Sequence, residues 1–210
     1  MNKFKTFLSK LLFIFFIIII FIFISAKSYS NTMFKNISNS FLRLHIIANS
    51  DSTEDQMVKY KIRDAIIEYM SPYFDGVSSK DDALTILNNH INEIYNIALD
   101  VASSNGYYYP ITVSVGNFYF PTREYDTITL PEGYYDALKI ELGESKGQNW
   151  WCVMFPSLCI LESSDSDFSD DSKKILQENL NSEEYSIISN EKKSVDLKIK
   201  FKLIELFENI

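Results

Sequence analysis

Two tryptophans, two cysteines and a proline fall within the eleven residues Asn149 to Cys159, NWWCVMFPSLC, and the chain holds no other Trp or Cys. Three chemistries could use them. A thiolate at Cys152 would be a nucleophile if a base or a positive field lowered its pKa. The histidines that could serve are His45 and His90. His45 alternates with Arg43 in a predicted strand, so the two share a face. His90 sits between Asn89 and Ile91 of a predicted helix and reads as structural. Trp151 and Val153 flank Cys152 and make no nucleophile elbow. A metal centre needs three or four ligands. Two cysteines and two separated histidines are a poor set, and no D-x-[DN]-x-[DN]-G calcium loop occurs. A disulfide between Cys152 and Cys159 is the third chemistry. Fully extended, the two would lie over roughly 20 Å apart, whereas a bridge needs about 5.5 Å between Cα atoms. The chain must therefore turn back within Val153 to Leu158, and Pro156 permits it. Trp150 and Trp151 read either as core or, in one case, as a recognition anchor.

The elements that must position these residues follow from periodicity. Phe41 to Ala48, FLRLHIIA, is a strand rich in branched residues. Ser52 and Asp55 stand at capping-box spacing before a helix predicted over Thr53 to Met70, with Val58, Ile62, Ala65, Ile66 and Tyr69 as its apolar face. Asp51, Glu54 and Asp55 are then the expected acidic partners of the helix dipole. Asp55 and Lys59 are spaced as an i,i+4 ion pair. A second helix runs from Lys80 to a stop at Asn105-Gly106. Strands follow at Ile111 to Phe120, with a bulge expected at Gly116-Asn117, at Arg123 to Leu130, and at Ala137 to Gly143. Residues 162–172 are an acidic low-complexity stretch and read as a loop. Residues 173–180 read as a short helix and residues 195–203 as an amphipathic strand running into a helical turn, with a helix throughout as the competing reading because Leu197, Phe201 and Ile204 also share one face. The expected fold is α+β, with two helices on a mostly antiparallel sheet of four or five strands.

The first 26 residues carry Lys3, Lys5 and Lys10, then an unbroken apolar run from Leu11 to Ile24, then Ser25-Ala26. That order is a secretory signal, or a membrane anchor if it is not cleaved after Ala26. The lysines hold the N-terminus inside and send the body outside. Residues 27–40 show no period and read as a tether, and residues 41–210 as a single domain. Beyond Ala26, 17 basic residues face 28 acidic ones. A body this acidic has no electrostatic reason to bind nucleic acid, and its nearest basic cluster, Lys198, Lys200 and Lys202, reads as one solvated strand face.

Two long stretches resemble the stage II sporulation protein R family: RLHIIANSDSTEDQMVKYKIRDAI (Arg43 to Ile66), and LPEGYYDALKIELGESKGQNWWCVMFPSLC (Leu130 to Cys159), with PTREY (Pro121 to Tyr125) before the second. The matching residues are Arg43, His45, Asn49, Ser50, Asp51, Asp55, Arg63, Asp64, Pro121, Arg123, Gly143, Gly147, Asn149, Trp150, Trp151, Cys152, Pro156 and Cys159. The resemblance implies a protein made in the forespore and exported into the space between the septal membranes. There it would trigger a membrane-embedded aspartic protease of the mother cell that matures the sigma-E precursor. It would be a ligand without cofactor, metal or small-molecule partner. Arg43, His45, Asn49, Ser50, Asp51, Arg123, Asn149, Trp150 and Trp151 are the partner-binding candidates. The rival reading is an exported cysteine hydrolase using Cys152 and His45, which requires the two in contact. A third is an anchored structural protein.

Overall fold

The computed structural model describes residues 2–125, 128–156, 159 and 176–189. Helix α1 (Asn2–Asn39) leads into strand β1 (Leu42–Ile47). Helices α2 (Thr53–Phe74), α3 (Lys80–Asn89) and α4 (Ile91–Ser104) follow. Then come β2 (Ile111–Phe120), β3 (Arg123–Tyr125), β4 (Ile128–Leu130), β5 (Gly133–Leu142) and β6 (Asn149–Phe155). Residues 176–179 are helical, and α5 spans Ser182–Ile188. The class is α+β, as expected. The acidic stretch 162–172 and the amphipathic segment 195–203 lie outside the described residues.

The main sheet has the order β2-β5-β1-β6. β1 lies at its centre, parallel to β5 and antiparallel to β6. β2 and β5 pair antiparallel without interruption from Ile111↔Leu142 to Phe120↔Gly133, so the bulge expected at Gly116 is absent. Gly116 simply pairs with Ala137; an irregularity sits instead between Leu42 and Arg43, opposite β6. The single strand expected over Arg123 to Leu130 is a small hairpin, β3 against β4.

Alternation gives the sheet two buried faces. Leu42, Leu44, Ile46, Leu138, Ile140, Leu142, Cys152 and Met154 point toward α2, α3 and α4. The helices answer with Val58, Ile62, Ile66, Met70, Leu87, Ile94 and Ala98. Ala137, Tyr135 and Val153 lie on the other face, with Phe120, Ile128, Leu130, Leu176, Leu180 and Ile188. A strand buried on both faces loses polar alternation, which is why β6 was legible only as a motif and not as a strand.

Three helical expectations change. The second helix is two, broken at His90, whose backbone N–H caps α3 on Leu87 O. The His90 ring takes a hydrogen bond with the Tyr69 hydroxyl (2.8 Å) and packs on Tyr73, and those contacts hold the break. Ser52 caps α2 through the Asp55 N–H (3.1 Å), but the Asp55 carboxylate accepts from Asn49 and Ser50 rather than pairing with Lys59. Lys59 donates to Gln56 Oε1 (2.6 Å) and Gln148 O (3.1 Å). Residues 27–39, expected as a tether, are the last turns of α1. Met33 and Ile37 are buried one helical turn apart, and Ile37 joins Phe41 in the second core. The period was hidden among polar neighbours.

Candidate functional site

The NWWCVMF stretch is an edge strand, not a loop, and alternation sends its two tryptophans to opposite faces. Trp150 turns toward α2. The Arg63 guanidinium lies 4.2 Å above its ring and the Tyr60 ring meets it edge-on at 5.5 Å. Trp151 turns to the face without α2 and stacks on His45, with ring centroids 3.6 Å apart and planes 15° apart. That contact follows from register, because His45 and Trp151 are cross-strand partners.

Around this stack the second face gathers cations and aromatic rings. Phe120 meets Trp151 edge-on at 4.7 Å and His45 at 5.9 Å. The Arg123 guanidinium lies 5.6 Å from the Trp151 ring on its outer side, and Arg123 itself is exposed. Arg43 is fully buried beneath. Its Nε donates to Cys152 O (2.9 Å), its Nη2 donates to the Tyr125 hydroxyl, and its guanidinium lies 4.6 Å from Phe120 and 5.1 Å from Tyr135. Rings with electron-rich faces on several sides stabilise a desolvated guanidinium. Arg43 therefore fastens β1, β6 and the β3–β4 hairpin together and is a positioning residue for the outer stack.

His45 is 6% exposed. Its Nε2–H donates to Asn149 Oδ1 (2.7 Å), which fixes the neutral tautomer. Burial pulls its pKa down to about 4, and the neighbouring Lys139 and Arg43 charges push the same way against the Asn149 hydrogen bond. Lys139, its partner on β5, is paired to Glu141 at 2.8 Å. At neutral pH the patch thus presents an uncharged imidazole under an indole, rimmed by Arg123, Asn149, Lys139 and Glu141.

Asn49, Ser50 and Asp51 lie elsewhere, at the β1–α2 turn, and their polar groups are engaged. Asn49 Oδ1 accepts from Glu144 N (2.9 Å) and Asp51 Oδ1 accepts from Gln148 N (2.7 Å). Lys146 N and Gly147 N donate to the carbonyls of Asn49 and Ala48. These bonds staple the β5–β6 connection to the turn. Two glycines make the approach feasible. A Cβ on Gly143, at φ +57°, would sit 2.1 Å from Asn49 Oδ1, and one on Gly147 would sit 2.2 Å from Ser50 O. Asn49 and Ser50 are half-buried and help hold the turn, while Asp51 keeps an exposed side chain.

Cys152 and Cys159 are joined, with 5.4 Å between Cα atoms, across a turn that contains a cis Phe155-Pro156 bond. Cys152 points into the core under the helices, away from His45 on the opposite face. His90 is engaged with Tyr69 and Tyr73. No group of three or more metal-ligating side chains occurs among the described residues.

Of the candidates, the fold brings together Arg43, His45, Arg123, Asn149 and Trp151. It separates Trp150 onto the α2 face and Asn49, Ser50 and Asp51 onto the turn. Phe120, Tyr125 and Tyr135 complete the cluster and were not singled out from the sequence. Their signal was indirect: Arg43 between two leucines of a buried strand demanded rings or carbonyls to receive it.

The family described as "Stage II sporulation protein R" matches residues 38–165. A protein of that description from Bacillus subtilis (strain 168) is 31% identical over 185 residues, covering 83% of each chain. No solved structure matches.

Proposed function

The chain belongs to the stage II sporulation protein R family, and from that premise we propose that it is an exported signal that activates the membrane-embedded aspartic protease of the mother cell. Its action releases sigma-E from its precursor. The head works from the space between the septal membranes, delivered there by α1. It acts by contact and contributes no bond-breaking group of its own.

The observation that carries this reading over the hydrolase alternative is the position of Cys152. Its sulfur is bonded to Cys159 and faces the helical core, while His45 lies across the sheet. A nucleophile and its base must meet within hydrogen-bond reach. The contact surface that the geometry favours is the second sheet face, where exposed Arg123 and half-buried Trp151 combine a charge with a large rigid ring. Such pairs dominate binding energy at protein interfaces.

The test is a reconstitution of precursor, protease and this chain in a non-sporulating host. Precursor cleavage is expected with wild type. Arg123→Ala is expected to cut cleavage at least about tenfold while its own level stays normal, the scale of one lost interface anchor. Cys152→Ser and Cys159→Ser are expected to behave alike. An active Cys159→Ser beside a dead Cys152→Ser would instead identify a catalytic thiol, and no cleavage with wild type would reject the activator role.

A further inference from the structure

Helix α1 does two things that are usually divided between segments. From Phe4 to Ile24 its side chains are all exposed in the fold, and they are apolar apart from Lys5, Thr6, Ser9 and Lys10. At 1.5 Å per residue that stretch is roughly 30 Å long, the thickness of a bilayer's hydrocarbon core. From Lys27 to Asn39 the same helix continues without a break and enters the core. Met33 and Ile37 are buried, and Ile37 and Phe41 pack with Tyr135, Ala137, Val153 and Leu176. The Tyr29 hydroxyl donates to Glu183 of α5.

The sequence explains the continuity. No Gly or Pro occurs before Pro72, so nothing interrupts the helix between its apolar and docked parts. The residues around the expected processing point, Ile24-Ser25-Ala26, lie inside it. They also depart from the A-x-A-like pattern of a processed signal, because Ile24 is large.

We propose that α1 is retained as a permanent membrane anchor, and that it carries the head as a rigid rod running from the bilayer into the core. The ligand of its exposed apolar surface is the lipid bilayer. Lys5 and Lys10 lie in the inner part of the span and extend their ammonium groups to the inner surface. The head begins within about 10 Å of the outer surface, because Tyr29, Met33 and Ile37 already contact it. Because Ile37 and Phe41 pack on the face that carries Arg123, Trp151 and His45, that face stands beside the base of the rod. Its height above the membrane is therefore constant.

The first measurement is the intact mass and location of the full chain expressed in an exporting bacterial host. The undivided 24.4 kDa chain is expected in the membrane pellet after alkaline washing, with its head digested by protease added to spheroplasts. A soluble head with an N-terminus at or after Lys27 overturns the anchor. So does an undivided chain whose head the protease cannot reach. The second measurement is trypsin cleavage after Lys35, an exposed residue of the docked segment. Wild type is expected to be cut on the order of tenfold more slowly than Asn31→Pro, because a proline inside a helix opens it. Wild type cut after Lys35 before the head, or as fast as the proline variant, overturns the rigid rod.

Discussion

At the scale of single residues, the second sheet face separates holding from presenting. Arg43 is sunk among rings and carbonyls and sets the distance between β1, β6 and the hairpin. Arg123 lies outside, over the Trp151 ring. His45 stands between, neutral and stacked. Its folded pKa near 4 lies below the ordinary histidine value of 6.5. The unfolded chain therefore takes up a proton in a range where the folded one does not. Stability from His45 is complete above about pH 6.5 and is lost progressively as pH falls toward 4. Unfolding midpoints measured from pH 7 to 4 are expected to fall more steeply for wild type than for His45→Gln, which keeps a donor near Asn149 and does not titrate. Equal slopes would mean that His45 is protonated in the fold. The residues of this cluster were legible as a set of motifs, but their partition was not. The sequence places Trp150 and Trp151 side by side, and only the pairing of β6 with β1 shows that they serve opposite faces. Cys152 and His45 looked combinable for the same reason, until the register put them back to back.

At the scale of elements, the β5–β6 connection shows how a polar turn is built from two directions. Ala48, Asn49 and Asp51 offer side-chain and main-chain acceptors, and Glu144, Lys146, Gly147 and Gln148 supply the backbone donors. Gly147 sits where a methyl group would press on the Ser50 carbonyl. Gly147→Ala is expected to cost roughly 1 to 3 kcal/mol of unfolding free energy, the range for forced overpacking, read by urea denaturation. A change within a few tenths would mean the connection shifts freely. The strands and helices themselves followed from their patterns where one face was wet: α2 and β2 lie close to the expected bounds, and α4 ends where the second helix was expected to stop. The pattern failed where both faces are dry, as in β6, or where burial rests on two side chains a turn apart, as at Met33 and Ile37. The split at His90 was invisible because Leu87 and Ile91 keep helical spacing across it.

At the scale of the whole molecule, the disulfide ties the middle of β6 to residue 159 at the margin of the helical core. Closing so short a loop stabilises by about 2 kcal/mol on the chain-entropy account. Cys152→Ser/Cys159→Ser is expected to lower the unfolding free energy by about that amount and keep the native circular dichroism. Loss of the folded spectrum would make the bridge a condition of folding. A different consequence follows from the central place of β1. Its register joins Leu42 to Asp136 on one side and Arg43 to Val153 on the other. A chain that emerges N-terminus first has made this strand long before either neighbour exists. The sheet cannot close until Phe155 is out, and contacts of such sequence separation form slowly. Through most of its emergence the polypeptide is thus a thread rather than a globule, slack enough to pass a narrow channel before it locks.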